Sequence, residues 1–148
     1  MSAASELSPQ ELAEACARAM WDDDEASQNL GMTLDGVGPG TAMLSMTVDG
    51  SKTNGHGTCH GGYIFTLADS AFAFACNSYD QRAVAQHCSI TFIAPAFEGE
   101  RLTASAHEVQ RYGRSGIYDI VVTNQKGEPV AEFRGQSRTI GGTLLGAE

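Results

Sequence analysis

The sequence predicts an α+β domain in which one antiparallel sheet wraps around one long, buried helix. Three observations support this prediction. Two segments repeat apolar residues at helical spacing, whereas six others have the alternation or composition of strands. The segment Gly61–Cys76 is apolar on nearly every side, so the fold must cover it on nearly every side. The length of 148 residues fits a single domain, 1–148, whose ends 1–7 and 143–148 are expected to be flexible.

The first element is an N-terminal helix with clear start signals. Ser8, Pro9 and Glu11 have the pattern of a capping box with proline at the first helical position. The acidic triplet 22–24 is expected to interrupt this helix and to cap a second, short one. Gly31 is the predicted stop of that second helix, because glycine accepts the left-handed backbone that ends many helices.

The strands fall on both sides of the long helix. Segments 32–35 and 41–48 are predicted to pair through a glycine-rich connection at 36–40. Alanine-rich composition favours a helix for Gly61–Cys76. Four further strands are predicted after it, at 83–93, 101–110, 117–124 and 130–140. A single sheet covers only one side of the central helix, so a second subunit is expected to cover part of the other side.

The charge balance excludes two classes of partner. Nine Lys and Arg against 18 Asp and Glu give a net charge of −9, which argues against nucleic acid and against an anionic membrane surface. The four cysteines lack paired spacing, so we expect free thiols in a reducing cytoplasm and no zinc site. The sequence begins without a signal-peptide pattern and holds no run long enough to span a membrane, so a cytoplasmic location is expected.

The sequence predicts an active site at the start of the long helix. His60-Gly61-Gly62 stands where backbone N–H groups lack helical acceptors, and such groups bind a carbonyl oxygen or an oxyanion. Asp69 is a carboxylate within an apolar helix, which is rare unless the acid is paired or functional. We interpret Asp69 as functional; the alternative is a buried acid paired with a nearby donor.

Helix geometry separates the two features within one chain. Gly61 and Asp69 are eight residues apart, which is about 12 Å along a helix. Two such helices packed antiparallel about a two-fold axis would place the middle of one against the start of the other. We therefore predict a homodimer whose active sites are shared between subunits.

Other candidate residues carry weaker signals. His56 and His60 have the spacing of a metal-binding pair, but Gly57 lies between them and the segment precedes the helix. Cys59 beside His60 suggests a nucleophile, although adjacent loop side chains rarely face each other. Arg111 and Arg114 either serve solubility or bind an anionic ligand, and Arg114 in its Gly-Arg-Ser-Gly turn is the stronger candidate.

Together these segments resemble the hotdog-fold acyl-CoA thioesterases, and among them the PaaI type of phenylacetate degradation. The resemblance covers roughly residues 20–142 and is carried by His60-Gly61-Gly62, Leu67-Ala68-Asp69, Asn54-Gly55-His56-Gly57 and Phe92-Ile93-Ala94-Pro95. It implies a hotdog dimer, commonly paired into a tetramer, that hydrolyses aryl-acetyl-CoA thioesters without a metal or an organic cofactor.

The resemblance also implies roles for individual residues. The Gly61 N–H polarises the thioester carbonyl, and Asp69 of the facing subunit activates water or attacks as a nucleophile. His60 and Asn54 shape the loop, with Gly62 beside them at the substrate. Ser70 is expected to orient the water or the carboxylate, and Asp23 stands where some relatives carry an asparagine at the acyl pocket.

Two other functions remain open from the sequence. A hotdog hydratase or dehydratase needs a histidine and an acid near the carbonyl, and His60 and Asp69 supply those residue types. A non-catalytic acyl-CoA binding module would use the same helix start and arginines. An ionisable Asp69 in an apolar helix argues against mere binding, because binding does not require that cost.

Overall fold

The computed structural model describes residues 6–146, which form three α-helices, a short 3-10 helix at Gly50–Lys52 and a six-stranded sheet. The α-helices are α1 (Pro9–Asp23), α2 (Glu25–Asn29) and α3 (Gly61–Cys76). The strands are β1 (Thr33–Gly38), β2 (Thr41–Thr47), β3 (Ala83–Phe92), β4 (Arg101–Tyr112), β5 (Ser115–Thr123) and β6 (Pro129–Thr139). No helix in this part of the chain is long and apolar enough to cross a membrane.

The sheet is antiparallel throughout and wraps around α3. Its strand order is β1-β2-β4-β5-β6-β3, so β1 and β3 form the two edges. Alternate residues of the central strands point at α3 and are buried against it, among them Leu44, Leu102, Ile120 and Phe133. The predicted α+β architecture, one sheet around one buried helix, is confirmed.

The N-terminal helices form where their capping signals lie. The Ser8 side chain accepts from the Glu11 N–H and the Glu11 carboxylate accepts from the Ser8 N–H, which completes the capping box of α1. Asp24 ends α1 and caps α2 by accepting from the Ser27 N–H. Gly31 follows α2 with φ +74°, in the left-handed region that favours glycine.

The β1–β2 connection is shorter than predicted. The sequence predicts a connection at 36–40, but β1 continues to Gly38, which pairs with Thr41. Only Pro39 and Gly40 form the turn, and Gly40 takes φ +68°. A register shift between Leu34 and Gly36 lets the strand continue. Glycines carry no side-chain alternation, so their strand pairing left no periodic signal in the sequence.

A close contact between α3 and β6 requires glycine. An added Cβ at Gly135 would lie 2.7–2.8 Å from three ring atoms of Phe72. Phe72 is buried, and its ring packs near those of Tyr118 and Phe133. The ring therefore has no free space into which it could move, and Gly135 sets how closely α3 approaches the sheet.

The edge strand β3 has no fully buried residue. Its register with β6 puts Cys88, Ile90 and Phe92 on the same face as buried residues of β6. Cys88 and Ile90 are nevertheless only partly buried, and Phe92 is 51% exposed. Within residues 6–146 no strand pairs with the outer edge of β3. The apolar inner face of the sheet is thus incomplete at this edge.

The chain ends lie partly outside the described residues. The flexibility expected for 1–7 and 143–148 stays a prediction for 1–5 and 147–148. Within the described part, the Asp80 carboxylate accepts from the N–H groups of Leu144 and Leu145 at 2.8 and 3.0 Å. Residues 143–146 are therefore anchored to the turn that follows α3.

Candidate active site

The loop before α3 is held by Asn54 and by two neighbouring segments. The Asn54 Oδ1 accepts from the N–H groups of His56 and Thr58 and from the Thr58 hydroxyl. The N–H of Cys59 donates to Ala96 O, and the N–H of His60 donates to Lys52 O, both at 2.8 Å. These bonds fix the direction in which the chain enters the helix, so Asn54 organises the loop as expected for it.

His60 is the N-cap of α3 and leaves one donor free. Its Nδ1 accepts from the Gly62 N–H at 2.9 Å, so the Gly62 donor is already engaged. The Gly61 N–H makes no hydrogen bond within residues 6–146. Gly61 lines a cavity of about 380 Å³ with Cys59, Ile64 and the end of β3. The helix start therefore offers a carbonyl oxygen one unused N–H at the positive end of the helix dipole.

The ring of Phe92 lies against the backbone of Gly61. A Cβ built on Gly61 would lie 2.9 Å from Phe92 Cζ, inside normal contact distance. The ring and the backbone N–H thus border the same cavity. This contact is not predictable from the sequence, because strand alternation indicates the face of the sheet on which Phe92 lies but not its distance from the helix start.

Asp69 is half-buried on α3 and has no hydrogen-bond partner among the described residues. Burial raises the pKa of its carboxyl above the ordinary value. Burial, and after it the charge of Asp69, raises the pKa of the Cys88 thiol on β3. Among residues 6–146 no donor pairs with the Asp69 carboxylate, so the alternative of a paired structural acid finds no support there.

In the single chain the Ser70 hydroxyl is bonded to a residue of α2. Its Oγ lies 2.8 Å from the Oγ of Ser27 on α2, which itself donates to Asp24 Oδ2 at 2.7 Å. Since Ser27 has only one hydroxyl hydrogen, Ser70 must be the donor in their bond. The Ser70 hydrogen is thus used for packing α2 against α3 and is not available to the Asp69 carboxylate. Ser27, which is 1% exposed, was not recognised from the sequence because a lone serine gives no such signal.

The remaining candidates lie at other places on the same chain. Asp23 is exposed at the end of α1 and lines a second cavity of about 370 Å³ beside the start of β3. Arg111 stacks on the ring of Tyr79, 3.5 Å from its centroid, and Arg114 borders the same small cleft at the C-terminal end of α3. Gly61 lies at the opposite end of this helix, so one chain does not bring the arginines to the helix start.

The weaker alternatives find little support in the geometry. Among residues 6–146 no group of three or more His, Cys, Asp and Glu side chains is arranged to hold a metal ion. The His60 Nδ1 already accepts from the backbone of α3. Burial raises the pKa of the Cys59 thiol, although the charge of Lys52 opposes this, and a protonated thiol is a poor nucleophile.

Comparison with known proteins identifies the class. Residues 56–131 match the thioesterase superfamily. The acyl-coenzyme A thioesterase PaaI of Escherichia coli K12 is 45% identical over 130 residues, which are 88% of this chain and 93% of that protein. Human acyl-coenzyme A thioesterase 13 is 31% identical over 106 residues, 70% of this chain and 76% of that protein.

Solved structures agree with this match. The E. coli PaaI protein from the phenylacetic acid degradation operon superposes with a TM-score of 0.90 at 44% identity, covering 92% of this chain and 99% of that chain. A Streptococcus mutans protein solved bound to acetyl CoA superposes with a TM-score of 0.73 at 26% identity, covering 76% of this chain and 90% of that chain.

The sheet around a buried helix is therefore the hotdog fold of a thioester hydrolase. The chain belongs to the thioesterase superfamily, and within it to the PaaI type. The resemblance carried by the His-Gly-Gly and Leu-Ala-Asp segments is thus confirmed.

Proposed function

We propose that the chain hydrolyses acyl-CoA thioesters, with phenylacetyl-CoA or ring-hydroxylated phenylacetyl-CoA as substrate, to the free acid and CoA in aromatic catabolism. One observation carries the proposal: the unused Gly61 N–H at the helix start and the unpartnered Asp69 carboxylate occur on the same helix. The names of the E. coli and human relatives and the acetyl CoA in the S. mutans structure support the substrate class.

A homodimer with shared active sites brings the two groups together. If two α3 helices pack antiparallel about residue 65, midway between the two positions, Gly61 of one subunit faces the partner's Asp69. The incompletely covered inner face of β3 and its unpaired edge support this arrangement, because a second β3 would satisfy both. Pairing of two such dimers into a homotetramer is part of the proposal.

The proposed reaction uses each group where charge develops. The Gly61 N–H donates to the thioester carbonyl oxygen and strengthens that bond as the oxygen becomes an oxyanion. Asp69 of the partner subunit takes a proton from water, whose oxygen attacks the carbonyl carbon; alternatively, the carboxylate itself attacks that carbon and forms a mixed anhydride, which water then hydrolyses to the free acid and Asp69. In either route the C–S bond breaks and CoA leaves as the thiolate. The raised pKa of Asp69 makes its ionised form a stronger base than an exposed carboxylate.

The other predicted residues support the substrate. His60 and Asn54 keep the loop in place, and Gly62 holds the His60 ring through its N–H. Asp23 is proposed to contact the acyl group, where its carboxylate would accept from a ring hydroxyl. Arg111 and Arg114 are proposed to bind the phosphates of CoA. Ser70 is retained as a substrate-side residue through its hydroxyl oxygen, which can still accept. No metal or organic cofactor is needed for these steps, and a cytoplasmic location is proposed.

Thiol release from phenylacetyl-CoA and its ring-hydroxylated analogues tests the activity. Asp69→Asn and Asp69→Ala should both lose at least about 10²-fold in kcat. If both variants kept the wild-type rate, the role of Asp69 would be wrong. A single turnover in ¹⁸O-labelled water tests the carboxylate route. Label in the Asp69 peptide indicates an anhydride that water opens at Asp69 Cγ, whereas label only in the product acid is expected for direct attack by water or for an anhydride opened at the acyl carbon.

The hydratase alternative is disfavoured by one contact. The His60 Nδ1 accepts from the Gly62 N–H, so this nitrogen is occupied and cannot take a substrate proton. Hydration of an enoyl-CoA, assayed beside thiol release, separates these two reactions. Tight binding of CoA esters without any turnover would instead favour the binding module.

A further inference from the structure

We propose that the C-terminal strap, residues 140–146, is the wall of the acyl pocket that sets acyl-group specificity, with Leu144 as its main determinant. The inference rests on the proposed function, because it concerns the acyl group of the same reaction. It goes further in assigning selectivity to the segment that follows β6, beyond residues 56–131 that match the superfamily.

The strap is held by main-chain bonds to the turn after α3. Asp80, at φ +58°, accepts from the N–H groups of Leu144 and Leu145 at 2.8 and 3.0 Å. The Arg82 N–H donates to Gly142 O at 3.1 Å, and the Ile140 N–H donates to Arg82 O at 2.9 Å. These four bonds fix the strap in one place, so the side chains that it carries have defined positions.

Two of those side chains line the cavity that contains Asp23. The cavity measures about 370 Å³, within the range of roughly 300–1,000 Å³ found for small-molecule sites. Ile140 and Leu144 contribute apolar wall from the strap, opposite Met20 of α1 and Val84 of β3. The polar part of the lining comes from Asp23, Asp24, Asn77 and Arg82. An apolar wall faced by polar side chains fits an aromatic ring that carries a hydroxyl group.

The position along β3 directs this cavity toward the active centre of the proposed dimer. Val84 lies near the beginning of β3, and Phe92, whose ring borders Gly61, lies at its end. Two β3 strands paired antiparallel across the two-fold axis would set the beginning of one beside the end of the other. A thioester whose carbonyl is held by the partner's Gly61 would then extend its acyl group into the cavity beneath the strap.

The strap is separate from the residues that are proposed to carry out the reaction. Residues 56–131, which match the superfamily, include Gly61 and Asp69 but not the strap. A change in the strap can alter the shape of the acyl pocket without disturbing the carbonyl donor or the acid. Acyl specificity would then be set separately from the reaction itself.

The test compares three variants on acetyl-CoA, phenylacetyl-CoA and 4-phenylbutyryl-CoA. Leu144→Trp fills the cavity and should lower kcat/KM for phenylacetyl-CoA relative to acetyl-CoA by about tenfold or more, whereas Leu144→Ala should favour the longer acyl group. Leu145→Ala is the matched control, because Leu145 binds the same carboxylate through its N–H but does not line the cavity. The control should keep the wild-type ratios within about twofold.

Asp80→Gly gives an independent perturbation that does not touch the cavity wall. Glycine tolerates the left-handed backbone at this position and removes the carboxylate, so the strap loses two of its bonds. Selectivity between the three substrates should decrease, and the KM values of Asp80→Gly should change more than its kcat values. Unchanged ratios in both folded Leu144 variants and in Asp80→Gly would overturn the proposal. Absence of hydrolysis of every acyl-CoA by the wild-type protein would instead contradict the proposed function.

Discussion

Removing a single N–H group from the start of α3 tests the role of Gly61. Proline at this position deletes the donor without breaking a hydrogen bond within residues 6–146. Proline is tolerated at the first helical position, and His60, with φ −62° and ψ 133°, already has the extended backbone that precedes a proline. Gly61→Ala is the matched control, because alanine adds the same Cβ and keeps the N–H.

The expected difference between these two variants is the contribution of one oxyanion donor. Both place a Cβ 2.9 Å from Phe92 Cζ, and the Phe92 side chain is 51% exposed in the single chain, so the ring can turn aside equally in both. Loss of one such donor costs about 3 kcal/mol in transition-state stabilisation. This free energy corresponds to a decrease of roughly 10²-fold in kcat for the proline variant relative to alanine.

Thiol release from phenylacetyl-CoA measures kcat and KM for both variants. Circular dichroism and thermal unfolding check that each retains the fold. The proline variant should lose activity mainly in kcat, since the hydrogen bond strengthens as charge develops on the carbonyl oxygen. A proline variant that turns over within about threefold of the alanine variant would refute the assignment of the Gly61 N–H as the carbonyl donor.

Three further predictions concern the helix that carries the acid. Because burial raises the folded-state pKa of Asp69 above its unfolded value, the free energy of unfolding of the wild type should decrease as the pH rises through the folded pKa. Urea unfolding should show that Asp69→Asn becomes more stable relative to the wild type over that range. Equal pH dependence of the two proteins would contradict this. Gly135→Ala should cost about 1–3 kcal/mol and lower the Tm by several degrees, with Phe72→Leu in the same chain recovering part of the loss; an unchanged Tm would show that the ring can move. Ser27→Ala should destabilise by about 1–3 kcal/mol, more than the control Thr66→Ala, whose hydroxyl bonds only within α3; equal losses would argue against a buried chain of hydroxyls.

Local signals made the helices predictable from the sequence, whereas contacts between distant segments could not be predicted from it. The capping pattern at Ser8 and the alanine-rich segment Gly61–Cys76 agree with the structure because a cap and a buried helix depend on residues close in sequence. The bond between Ser27 and Ser70 joins residues 43 apart, and neither residue type nor spacing indicates it. The bonds of Leu144 and Leu145 to Asp80, in the segment 143–148 that is expected to be flexible, were unpredictable for the same reason, since they join residues 64 and 65 apart.

The open edge of the sheet concerns both the core and the proposed active site. The strand β3 has no fully buried residue, and within residues 6–146 no strand pairs with its outer edge. The proposed dimer places a second copy against this edge and against Asp69. A second copy placed there would remove more water from Asp69 and raise its pKa further by desolvation, which strengthens the carboxylate as a base. It would also bring the positive end of its own α3 toward that carboxylate, which limits the rise and keeps the ionised form available. Dimerisation would thus set the basicity of Asp69 and also place beside it the Gly61 N–H that donates to the substrate carbonyl.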